Sequence, residues 1–325
     1  MSAPYAGTVV TGKGRAGARN PLVLAMLGAA SISASGIMIT LADTGAVTAA
    51  FYRTFLAVPG LVLLAALEQR RRGPRPPAAR AGAFVAGLFL SVDLVLWNHA
   101  IAEVGAGIAT VLGNLQVLFV AFVAWAVFRE RPERRFLVFL PVVMAGVVMV
   151  SGLVGGGRDG THALAGIGFG IGTSMAYAAF LLTLRRTSST SPHVAGPLAE
   201  ATAGAALGAA LIGLAFGGLA LHIPWPSFGW LLLLALTSQT IGWLLITSSL
   251  PRLPAAISSL TLLLQPAAAM LLAAIVLDER PTLVQIAGAV VVCCGVLAVS
   301  LSASSRKTEE WPGEELEPAA TGSLV

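Results

Sequence analysis

Val104 to Ser151 reads VGAGIATVLGNLQVLFVAFVAWAVFRERPERRFLVFLPVVMAGVVMVS, and 149 residues later Leu253 to Ser300 reads LPAAISSLTLLLQPAAAMLLAAIVLDERPTLVQIAGAVVVCCGVLAVS. Aligned without a gap, the two stretches agree at about fifteen of 48 positions. Apolar sequences match one another easily, so the paired Val and Ala mean little. The other matches are harder to reach by chance. Gln116 falls on Gln265, Glu130-Arg131-Pro132 on Glu279-Arg280-Pro281, Gly146 on Gly295 and Val150-Ser151 on Val299-Ser300. The chain therefore reads as two copies of one unit, each closing on this pair of hydrophobic segments.

Working outward, 56% of the 325 residues are hydrophobic, 11% are charged, and the mean hydropathy is +0.85. A soluble domain is near a quarter charged. This composition belongs to a polytopic membrane protein, whose first partner is the lipid bilayer. The formal net charge of +5 does not point to nucleic acid, because the basic residues sit in short clusters between apolar runs. Cys293 and Cys294 are adjacent inside an apolar run, a spacing that frames neither a disulfide scaffold nor a zinc site. No metal or cofactor is predicted.

Apolar runs of spanning length fall at about 21–42, 46–67, 81–101, 104–128, 136–154, 164–184, 195–220, 227–249, 253–277 and 282–302. The fold class predicted is all-α integral membrane, with ten transmembrane helices. Residues 1–20 are polar, Gly-rich and basic, and 303–325 are polar and acidic; both read as disordered cytoplasmic tails. The run from Pro21 is too long for a signal-peptide core and lacks a cleavage pattern, so it reads as an uncleaved first helix. The closing Thr321-Gly-Ser-Leu-Val reads either as a natural tail or as the start of an appended protease-site linker.

With the N-terminus in the cytoplasm, 17 of the 20 Lys and Arg residues face inward. Arg158 and Arg280 face outward, and Arg53 lies within a helix. That asymmetry sets the orientation, with both termini inside. Each copy holds five helices (21–154 and 164–302), an odd number, so the copies are predicted to be inverted in the bilayer. The basic loop Arg129 to Arg135 faces in, while its counterpart Asp278 to Val284, stripped of excess positive charge, faces out. Inverted repeats meeting at the midplane are a secondary-transporter architecture.

Two inverted five-helix halves, each with Gln before a short apolar run and then Glu-Arg-Pro, resemble the paired-EamA branch of the drug/metabolite transporter superfamily. Gln265-Pro266 matches the motif of that branch fully, whereas Gln116 is followed by Val117 and so lacks the kinking proline. Arg53, in Phe51-Tyr52-Arg53-Thr54-Phe55, matches an arginine the family tends to carry early in its second helix. The resemblance covers about residues 21–302. It implies alternating-access transport of small organic molecules, often export of amino acids or other metabolites, across a bacterial inner membrane.

Ionisable groups at membrane depth cost roughly 2.5–3.5 kcal/mol on insertion scales, so each needs a reason. Arg53, a third of the way into the second span from outside, reads either as snorkelling to the interface or as meeting a substrate carboxylate. Glu200, near the inner end of the seventh span, reads as interfacial and too far from Arg53 to pair. Asp93, mid-depth in the third span, reads either as cavity-lining and proton-coupled or as a satisfied interhelical bond. Its counterpart in the second copy is Gly242, and the sequence shows no basic partner at its depth.

Uncharged polar and aromatic groups gather at the same level. Ser33 and Ser35 lie in the first span, Trp97 and Asn98 in the third, and Asn114 and Gln116 in the fourth. Tyr177, Gln239, Trp243 and Gln265 answer them in the sixth, eighth and ninth. Singly, each serves as helix-to-helix glue. Together with Asp93 they predict a substrate cavity between the halves, suited to a neutral or zwitterionic molecule with an apolar side chain. A polyphosphate fits badly, with Arg53 alone to counter its charge. Gly166, Gly168, Gly170 and Gly172 open the sixth span as small-residue contact pairs; no strand precedes them, so they are no dinucleotide fingerprint.

The function predicted is a monomeric exporter of neutral or aromatic amino acids. Alternatives are export of another hydrophobic metabolite or a cationic drug, or a channel or receptor. With no HExxH, no GxSxG and no paired mid-membrane Asp, the chain is not read as an enzyme. Proton coupling through Asp93 and uncoupled facilitation both remain open.

Overall fold

The computed structural model describes residues 20–129, 132, 134–150, 163–189, 192–276 and 281–309. Glu130-Arg131 and Glu279-Arg280 of the repeated turns, the outer Arg158, and residues 1–19 and 310–325 of the tails lie outside the described residues.

Every regular element among the described residues is helical. The first copy contains α1 (Pro21–Ser33), α2 (Ser35–Ala42), α3 (Ala46–Phe55), α4 (Val58–Arg72), α5 (Pro77–Asn114), α6 (Gln116–Phe128) and α7 (Arg134–Val150). The second contains α8 (Ala163–Ser189), α9 (Ala195–Phe216), α10 (Ser227–Leu234), a π-helical segment (Ala235–Gly242), α11 (Trp243–Ser249), α12 (Ala255–Leu262), α13 (Leu264–Val276) and α14 (Leu283–Glu309). Among the described residues, seven helical stretches are long and apolar enough to cross a membrane, and Leu112–Val127 and Leu283–Ala298 are shorter apolar helices.

Several spans are broken where the sequence suggested one helix. The first is interrupted at Ala34, and the second at Leu56-Ala57. Pro59 accounts for the second break, since it supplies no N–H to the turn before it. Further breaks fall at Leu115, just before Gln116, and at Leu263, two residues before Gln265. Both use a tight turn with ψ of −13° and −8°. The first copy therefore breaks here without the proline that the second copy carries. At its far end α14 continues to Glu309, so residues 303–309 are helical rather than disordered.

Helical backbone runs unbroken from Pro77 to Asn114, 38 residues. Straight, it would be about 57 Å long, nearly twice a bilayer core. It is not straight. A Cβ on Gly113 would lie 3.8 Å from the Trp97 ring, whereas a straight helix would put those residues roughly 24 Å apart. Thr173 and Ser174 of α8 hold both limbs: Thr173 Oγ1 donates to Asp93 O at 3.1 Å, and Ser174 Oγ to Leu112 O and, at 3.1 Å, Gly113 O. The chain doubles back between these limbs, as the two runs 81–101 and 104–128 require.

Packing relies on close backbone approach. Cβ atoms on Gly87 and Gly204 would lie 1.8 Å from Ala201 O and 2.2 Å from Phe84 O, which makes α5 and α9 a parallel pair in near backbone contact. Of the glycines opening α8, Gly170 presses on Leu112 and Gly172 on Leu96, while Gly168 faces open space. In α7 and α14 a Cβ on Gly146 would meet Val292 at 2.9 Å, and one on Gly295 would meet Val143 at 2.5 Å. Val143 and Gly146 are the residues that the 149-residue shift places on Val292 and Gly295. The contact is reciprocal, and with Gln285 Nε2 donating to Val150 O at 3.4 Å the two helices run antiparallel.

At one end, the copies are clasped by charge. The Glu68 carboxylate accepts from the backbone N–H groups of Val194, Ala195 and Gly196, capping α9 from another helix. Glu200 pairs with Arg75 and, at 2.9 Å, with Arg80. It thus meets the α4–α5 connection and not Arg53, as its depth suggested.

Candidate functional site

Pro59 ends α3 at Phe55 and leaves Arg53 in its last turn, where the helix dipole favours a cation. Thr54 Oγ1 turns back onto Ala50 O at 2.8 Å and Phe51 O at 2.9 Å within the same helix. Arg53 is buried, 6% exposed, and its Nε has no hydrogen-bond partner. Asp93 of α5 is 7% exposed and lies close enough to act on Arg53 electrostatically. No ion pair or hydrogen bond joins the two side chains among the described residues. Asp93 therefore does have a basic neighbour, contrary to the depth estimate from sequence. Counting along straight helices could not register the breaks that bring α3 against α5.

Tyr177 of α8 is the third member, within electrostatic reach of both Arg53 and Asp93. It lies one turn beyond Thr173 and Ser174 on the same face, so the bonds clamping α5 also aim the phenol. It lies near Gln265, just beyond the Leu263 break. Its ring sits edge-on to Trp243 at 6.3 Å, and Trp243 is edge-on to Phe180 at 4.8 Å. The constellation thus joins two opposite charges from the first copy to a phenol, an amide and two aromatic rings from the second.

The other residues singled out from sequence lie around it in different roles. Ser33 Oγ donates to Ala29 O at 2.7 Å, within its own helix, and Ser35 is half-buried beyond the Ala34 break. Asn98 ties α5 to α3 through Ala46 O at 3.3 Å. Trp97 is half-buried beside Gly113, and Asn114 is half-buried at the end of α5. Gln116, 2% exposed, bridges the copies by donating to Ser259 O at 3.4 Å. Gln239 is fully buried and donates to Thr202 Oγ1 at 3.2 Å. Asp93, Tyr177, Trp243 and Gln265 are thus brought together, while Gln116 and Gln239 knit helices elsewhere.

Two features escaped the sequence. Phe180, fully buried in the core against Trp243, carried no polar signal. The π-helical segment was invisible because nothing in ALTSQTIG distinguishes it from α-helix. It is two turns long, with Thr240 Oγ1 donating to Ala235 O, five residues back, at 2.8 Å. Such segments are frequent at functional sites. Here it changes the phase of the helix ahead of Trp243, and α1 is stitched to it by Ser31 Oγ to Thr237 O at 3.0 Å and Ser238 Oγ to Ser31 O at 3.2 Å.

The sequence profile described as the EamA-like transporter family matches the chain twice, over residues 20–152 and 164–301. A crystal structure of a protein 18% identical in sequence superposes with a TM-score of 0.70, covering 87% of this chain and 98% of the other, which shows a shared fold. No curated protein matches the chain by sequence.

Proposed function

The chain belongs to the EamA-like transporter family of multi-pass membrane proteins, which move small molecules and are not enzymes, and on that premise we propose that it exports neutral and aromatic amino acids across a bacterial inner membrane. The observation that carries this reading is the constellation of Arg53, Asp93, Tyr177, Trp243 and Gln265, drawn from both copies. Two charges of opposite sign beside aromatic walls suit a small molecule carrying both charges and an apolar side chain. The protein acts as a monomer on a small organic substrate and engages no nucleic acid.

The architecture proposed is ten spans in two inverted five-helix halves, 21–154 and 164–302. The antiparallel, reciprocal contact of Val143 with Gly295 and Gly146 with Val292 supports it, because a two-fold axis lying across the helices generates that pairing. Alternating access then follows from one half rocking against the other about the shared site. Both termini are cytoplasmic. Cysteines placed at positions 159 and 278 in a Cys-free background should react with an impermeant reagent from outside intact cells, and one at 133 should not; the reverse pattern would overturn the orientation.

The site itself is tested by Gln265→Ala and Tyr177→Phe. Each removes one polar group from the constellation, a contact to substrate worth about 0.5–1.5 kcal/mol, and each is expected to lower amino-acid transport severalfold with little change in expression or thermal midpoint. Normal transport by both variants would place the substrate elsewhere.

A further inference from the structure

We infer that Arg53 and Asp93 form a two-point clamp for a zwitterion, Arg53 taking a carboxylate and Asp93 an ammonium group. The inference rests on the transporter reading above and names the recognition chemistry of the same site.

A buried ion pair kept for structure alone closes to direct contact and fills its remaining hydrogen bonds, because an open, unfilled pair keeps the desolvation cost without the full attraction. Arg53 and Asp93 do neither. Both are more than nine-tenths buried on helices that pack together through Asn98 and Ala46 O, no ion pair or hydrogen bond joins them among the described residues, and Arg53 Nε is an unused donor. A guanidinium with a free edge presents the planar fork that a carboxylate accepts. Asp93 stands as counter-charge to both Arg53 and an incoming ammonium.

A bound zwitterion would add one charge of each sign and leave the site neutral in sum, which keeps the loaded state compatible with a low-dielectric surround. An amine without a carboxylate would face Arg53 unshielded, and an acid without an ammonium would face Asp93. This separates amino acids from the cationic drugs that the sequence left open. The rings of Tyr177, Phe180 and Trp243 pack tilted and edge-on against one another, and we place an aromatic or aliphatic substrate side chain against the Tyr177 end of that group.

The test uses the full chain in proteoliposomes, with L-phenylalanine, phenethylamine and 3-phenylpropionate each supplied as labelled substrate and as unlabelled competitor. In the wild type, L-phenylalanine should compete about ten- to a hundredfold better than either single-charge analogue, the range set by one lost charged hydrogen bond. Arg53→Gln should lose affinity for L-phenylalanine until it matches phenethylamine, and Arg53→Lys, which keeps the charge without the fork, should restore part of the difference. If Arg53→Gln does not fold, the wild-type ranking and Arg53→Lys still decide the question. Phenylalanine transport with no preference over the analogues overturns the clamp and leaves the amino-acid reading standing. Movement of an analogue but not of phenylalanine, or of none of the three, overturns both.

Discussion

Asp93→Asn is expected to lower thermal stability and abolish transport, and the further change Arg53→Gln is expected to restore the stability without the transport. Asparagine keeps the shape of aspartate but leaves Arg53 a buried cation with no counter-charge. Breaking a buried pair from one side costs about 3–5 kcal/mol, and the lower end applies here because the two groups do not touch. Removing both charges removes that penalty, so the thermal midpoint of the double variant in detergent should approach the wild type. Transport should not return, since neither end of the substrate then has a partner. A wild-type midpoint for Asp93→Asn alone would mean that the two charges are not coupled.

Gly87→Ala and Gly204→Ala are each expected to prevent a folded protein from accumulating. The added methyl would lie 1.8 Å from Ala201 O in one case and 2.2 Å from Phe84 O in the other, against backbone that cannot rotate away. The two helices would have to separate along their length, breaking the contact through which Glu68 and Glu200 also join the copies. Gly168→Ala is the matched control, since nothing lies within 4 Å of its added Cβ. It should be neutral, or stabilising by about 0.5–1 kcal/mol through helix propensity. Monodisperse, thermally normal Gly87→Ala protein would refute the α5–α9 packing.

Much of this architecture was legible because its signals are strong. Apolar runs of spanning length set the helices, and Gln116/Gln265 with the Glu-Arg-Pro turns set the repeat. The doubling-back within Pro77–Asn114 was also legible, because the sequence separates two apolar runs there, 81–101 and 104–128. The breaks were less so. Proline announces the one before Pro59, but Leu115 breaks with no proline beside it, and only its neighbourhood to Gln116 hinted at a special position.

The site was legible in its parts and not in its assembly. Asp93, Tyr177, Trp243 and Gln265 stood out because polar groups at membrane depth need partners. The nearness of Arg53 to Asp93 did not, because it depends on how broken, tilted helices meet. For the same reason Gln116 and Gln239, equally prominent in sequence, turn out to face Ser259 and Thr202 rather than the charged pair. A buried amide looks the same in sequence whether it binds a ligand or a neighbouring helix.

The central claim, that this chain carries substrate by alternating access at a site shared by its two halves, is tested most directly by counterflow. Proteoliposomes containing the purified protein are loaded with unlabelled L-phenylalanine and diluted into a trace of labelled L-phenylalanine. A carrier should accumulate label transiently above its equilibrium level as internal substrate exchanges outward, and Arg53→Gln should abolish that overshoot. Label that rises monotonically to equilibrium with no overshoot, or that enters no faster than into protein-free vesicles, would contradict the account.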